Sequence, residues 1–126
     1  MFGLKRQVKL NYEDAIQKVK EELKKEGFGV LTEIDVKAIL KSKLNVDFDK
    51  YVILGACNPP FAYQALQAER DIGLLMPCNV IVYEQNGQTF VSATQTTITM
   101  NLSKNKDLCS LAEQVEAKLK KVVDSI

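Results

Sequence analysis

The sequence predicts an α+β protein: a two-layer sandwich with helices packed on one face of a largely antiparallel sheet. Three observations predict it. Long segments near both ends carry apolar residues at helical spacing, and several short segments carry them at strand spacing. The order β-α-β-(short α)-β-α-β-β-α ends on a hairpin and a helix rather than on a strict βα repeat.

Each element has its own local reason. Residues 3–10 are short and mixed, and read as a first strand. Asn11 is placed to cap a helix whose first turn holds Glu13 and Asp14; Tyr12, Ala15, Ile16, Val19 and Leu23 form its apolar stripe, and Gly27 supplies the stop. Phe28, Val30, Thr32 and Ile34 alternate, predicting a strand with one buried face. Residues 36–43 switch to helical spacing, and 45–50 are a polar connection. Tyr51–Ala56 is almost continuously apolar, as expected of an interior strand covered on both faces. Asn58 and Pro59 read as N-cap and first residue of the next helix. Asn79–Glu84 is a further apolar strand, and Asn86-Gly87 signals a tight hairpin into residues 89–95. Thr94–Thr99 is too polar for a core and reads as an edge strand or as a polar loop over a site. Leu108, Leu111, Ala112, Val115, Leu119 and Val122 make the stripe of the last helix, with Cys109 beside it in the core.

Composition narrows the function. The 126 residues are 46% hydrophobic and 26% charged, with a net charge of +1, an ordinary globular balance; one domain spanning 1–126 is expected. No basic run is long enough to track phosphates, so nucleic acid is not an expected partner. No apolar run approaches the roughly 18 residues of a membrane span. The absence of histidine removes Ser-His-Asp and Cys-His catalysis and His-ligated zinc. No Walker A loop or GxGxxG is present, so no cofactor is expected, and no metal. Cys57, Cys78 and Cys109 fit neither a disulfide framework nor a CxxC pair, which suits a cytoplasmic protein with reduced thiols. Tyr12, Tyr51, Tyr63 and Tyr83 are too scattered along the chain to predict a stacking platform.

The distinctive stretch is Leu54-Gly-Ala-Cys-Asn-Pro-Pro-Phe61, followed by Ile72-Gly-Leu-Leu-Met-Pro-Cys-Asn79. Two Cys-Asn dipeptides beside prolines at strand ends closely resemble the domain-of-unknown-function family number 302, along essentially the whole chain. The resemblance implies a small α+β domain with a topology similar to the TATA-box-binding protein, often homodimeric, and it implies no DNA binding. Its pattern falls on Gly55, Cys57, Asn58, Pro59, Glu69, Gly73, Pro77, Cys78 and Asn79. Before the last helix this chain reads Gln95-Thr-Thr-Ile-Thr-Met100, where relatives carry an acidic-Pro element.

Cys57, Asn58, Cys78, Asn79 and Glu69 are therefore the candidate binding residues. Cys57 sits just before a helix N-terminus, which favours a thiolate; the plainer account is a small side chain filling a tight turn. Cys78 meets Cys57 if their strands are adjacent and antiparallel, and lies at the opposite end if they are parallel. Asn58 and Asn79 have amides suited to capping a helix, to holding a turn or to binding a ligand carbonyl, with capping favoured for Asn58. Glu69 is the one carboxylate of the stretch, a general base or a solvated helix end. Two functions follow: a homodimeric domain binding a small ligand or partner around the two Cys-Asn segments, or thiol redox or sulfur transfer by Cys57 and Cys78. An edge strand from the hairpin or the Thr-rich segment would carry the dimer contact.

Overall fold

A computed structural model describes residues 2–126. Strands β1 (Gly3–Val8), β2 (Gly29–Asp35), β3 (Tyr51–Cys57), β4 (Cys78–Gln85) and β5 (Gln88–Thr94) form one sheet in the order β1-β5-β4-β3-β2. Every neighbouring pair is antiparallel. The helices are α1 (Tyr12–Lys25), α2 (Val36–Leu44), α3 (Pro59–Ala68), the single turn α4 (Thr96–Thr99) and α5 (Cys109–Asp124). The predicted α+β sandwich is the one found and the predicted elements occur in their order, with the single-turn α4 and short 3₁₀ turns at Arg70–Leu75 and between α4 and α5 added.

The local signals work as read. The Asn11 side chain accepts from the Asp14 amide at 2.8 Å, and Gly27 ends α1 at φ +85°. Asn86 and Gly87 both adopt positive φ, which a tight turn matching the twist of β4 and β5 requires.

Helices α1 and α5 pack on one face of the sheet. Val52, Leu54, Val80, Val82 and Val91 from that face are buried against Val19, Leu23, Val115 and Leu119. Arg6 ties the layers together: its guanidinium donates to the carbonyls of Val123 and Asp124 at 3.3 and 2.7 Å, where the C-terminal end of α5 is most negative.

Five expectations differ from the structure. The alternation of Phe28, Val30, Thr32 and Ile34 does not give one buried face, because the register shifts between Val30 and Thr32. The extra residue, Leu31, inverts the phase: Val30 pairs with Ala56 on the helix side, whereas Ile34 pairs with Ile53 on the other. β3 is interior but covered on one side only, so Tyr51 and Ile53 stay half-buried. The hairpin strands β4 and β5 are central, and the sheet edges are β1 and β2.

The Thr-rich segment, finally, is neither edge strand nor open loop. Thr96 is 1% exposed, and its hydroxyl donates to the Ala112 carbonyl at 2.7 Å; Thr97 donates from its amide and hydroxyl to Glu116. Polarity is tolerated there because the hydroxyls of Thr96 and Thr97 each find an acceptor on α5. Cys109, read as core, is exposed at the start of α5.

Candidate functional site

The sheet brings the two Cys-Asn segments to one end of the molecule. β3 and β4 are adjacent and antiparallel, and Cys78 pairs with Ala56, one residue before Cys57. The chain turns at Cys57 into α3, and the segment entering β4 passes through a cis Met76–Pro77 bond. Between the strand ends and α3 lies a narrow apolar cleft of about 30 Å³, lined among others by Cys57, Asn58, Phe61, Met76, Pro77 and Cys78. That volume is room for one or two waters, far below the roughly 300 Å³ at which drug-sized sites begin.

Gly55 shows how tightly this end is packed. A Cβ there would meet the Thr32 hydroxyl on one side and the Pro77 ring, at 2.9 Å, on the other. Glycine lets β2 and the Pro77 segment close over β3.

Asn58 is buried and begins α3, but its side chain makes no cap bond. Its amide instead donates across the molecule to the Glu26 carbonyl at 3.2 Å, in the turn that leaves α1. The same amide nitrogen lies 3.1 Å from where a Gly27 Cβ would stand. The expected cap is thus a brace between two chain reversals. Pro59 and Pro60 at the start of α3 explain why the cap is dispensable: neither has an N–H to satisfy.

The two thiols are free. Burial in the apolar cleft, with a smaller contribution from the neighbouring Cys57, pushes the Cys78 thiol up to about 11. At neutral pH Cys78 is therefore a protonated side chain, the opposite of an activated thiolate.

This yields a measurable pH dependence. The folded-state pKa is raised, so the contribution to stability is complete below the ordinary thiol value of 9.0 and is lost as pH climbs toward 11. Between pH 8 and pH 10 the unfolding free energy should fall by about 1 kcal/mol more in the wild type than in Cys78→Ala. Urea unfolding of both proteins at the two pH values checks this.

The other two candidates lie elsewhere. Asn79 is exposed on the far face of the sheet, beside a shallow recess of about 320 Å³ that also touches Gly3, Ser92 and Tyr51. Its backbone is held by Thr94, whose hydroxyl accepts from the Asn79 amide at 3.1 Å and donates to its carbonyl at 2.9 Å. Glu69 caps the C-terminal end of α3 and receives the Asn105 amide at 3.3 Å, away from the cleft. Its place suits a structural tie, and no second carboxylate meets it across the cleft.

The structure also assembles a group that the sequence reading dismissed. Tyr51 and Tyr83 stack at 5.3 Å, Tyr83 and Phe90 stack at 5.3 Å, and Phe48 lies 6.3 Å beyond Tyr51. Lys5 sits over the Phe90 ring at 4.8 Å. Residues scattered along the chain become neighbours because the register places Tyr51 opposite Tyr83 and Tyr83 opposite Phe90. Alternation in β3 and β4 was the signal that could have found the row.

Fold and site together define a small α+β domain with a narrow apolar cleft at the ends of two central strands. Among the described residues no His, Cys, Asp and Glu group is arranged to hold a metal, and no helix is long and apolar enough to cross a membrane. The family profile "Domain of unknown function DUF302" matches residues 4–126, and the chain belongs to that family. It is similar to the crystal structure of an uncharacterized conserved DUF302 protein from Bacillus stearothermophilus, with 32% identity, a TM-score of 0.94, and 99% of this chain and 98% of that chain covered. No curated protein matches.

Proposed function

We propose that the protein is a non-enzymatic binding domain, working as a homodimer in a reducing cytoplasm, and that the cleft between Cys57, Asn58, Phe61, Pro77 and Cys78 is its site. The observation that carries the reading is the cleft itself, with both Cys-Asn segments against it and no general base among its lining residues. Its small apolar volume suits the tip of a small neutral ligand or one side chain of a partner, not an entire cofactor.

The test is an amide NMR titration with small neutral apolar fragments of about three heavy atoms or fewer. Shifts confined to segments 55–61 and 76–80, and lost in Phe61→Trp, are the expected result. Unmoved amides in both segments at millimolar fragment would overturn it.

The alternative is thiol exchange or sulfur transfer between Cys57 and Cys78. It is favoured by their positions at the same end of adjacent strands and opposed by the protonated state of Cys78. Under this reading a mild oxidant would link the two residues in the folded protein, a loss of two mass units that peptide mapping detects. Under the binding reading, Cys78 resists alkylation at pH 7 until the chain is unfolded.

A further inference from the structure

The face of the sheet turned away from α1 and α5 carries side chains of a kind that strands normally bury. Tyr51 and Ile53 of β3, Ile81 and Tyr83 of β4 and Phe90 of β5 are half-buried there, although the two long helices lie against the other face. Along the register Ile34, Ile53 and Ile81 form one row and Tyr51, Tyr83 and Phe90 the next. Central strands apolar on both faces are the pattern of a sheet covered on both sides. The apolar surface continues in Phe48, which lies 6.3 Å beyond Tyr51 and is 44% exposed.

The charge on this face is as telling as its apolarity. Of the strand positions that share it, Lys5 alone is charged, and Lys5 is folded over Tyr83 and Phe90. The rest are apolar or neutral, such as Gln7, Ser92, Thr94, Asn79 and Thr32, in a chain that is 26% charged. An acidic or basic partner would find nothing complementary here. A two-fold contact needs a surface that tolerates itself, and a neutral one brings no like charges together.

The area also suits a second copy. Five strands about 4.8 Å apart and roughly six residues long present about 480 Å² per copy. Doubled, and with side-chain relief added, that approaches the ~1,200–2,000 Å² of a stable protein contact.

We propose that this face is where a second copy of the chain seats, sheet against sheet about a two-fold axis, with Ile53, Ile81 and Tyr83 at its centre. The proposal rests on the homodimer reading above and says which surface makes the dimer. The contact is through faces and not through edge pairing of β1, β2 or the hairpin.

Sedimentation equilibrium of the wild type, Ile81→Glu and Ile81→Lys is the test, with circular dichroism to show that each variant is folded. A wild-type dimer is expected, together with folded variants whose dimerisation is weakened about 100-fold by like charges meeting at the axis. An equimolar mixture of the two variants should dimerise again, which a folding defect could not produce. A wild-type dimer that both variants leave intact would place the interface elsewhere and overturn the proposal, while the homodimer reading stands. A wild type that stays monomeric at about 100 μM, far above the μM range of a contact this size, would overturn both.

Discussion

Leu54→Ala is expected to cost about 3–5 kcal/mol of unfolding free energy, the upper part of the range for a fully buried leucine. Leu54 is 0% exposed and sits on β3, with Glu33 of β2 and Val80 of β4 as its cross-strand partners. Hydrogen-bonded strands on both sides prevent the backbone from closing on the space, so most of the cavity stays. Urea unfolding at pH 7 measures the loss. The neighbouring Ile53→Ala offers a control within the same strand. At a concentration where the chain is monomeric it should cost about 1–2 kcal/mol, because folding of one copy removes only part of Ile53 from water. Equal costs at the two positions would contradict a one-sided sheet.

Asn58→Asp is expected to cost about 2–3 kcal/mol and to exceed Asn58→Ala, at about 1–2 kcal/mol. Were Asn58 a helix cap, the aspartate would be neutral or stabilising, since a carboxylate accepts well at a helix N-terminus. The amide, however, donates to the Glu26 carbonyl. Aspartate has no proton to give, and it sets a buried negative oxygen against a carbonyl oxygen. Thermal or urea unfolding of the two variants therefore separates brace from cap by the order of their stabilities.

The gap between these readings of Asn58 shows what kind of information the chain carries locally. Capping by Asn11, the stop at Gly27, the Asn86-Gly87 turn and the stripes of α1 and α5 depend on residues a few positions apart, and all were legible. The same was true of element order, and hence of the α+β class. Asn58 looked like a cap because Pro59 follows it; its partner, Glu26, is 32 positions away and visible only once α1 and α3 are placed.

The candidate site divides along the same line. Strand ends next to Cys57 and Cys78 were readable, but their meeting depended on β3 and β4 being antiparallel neighbours, which the sheet order decides. Tertiary placement sent Asn79 to the far face and Glu69 to the end of α3, although both stand in the same stretch of sequence. It also decided that Cys78 is buried and so protonated at neutral pH.

By itself, then, the sequence determined the four longer helices, the hairpin turn, the class of fold and the family to which its Cys-Asn segments belong, because capping, turn chemistry and periodicity act over a turn or a few residues. Only the tertiary structure decided which face each strand residue occupies. One extra residue at Leu31 inverts the alternation of β2, and a side chain's surroundings in a sheet come from strands distant in the chain. The aromatic row and the uncovered sheet face are products of that register.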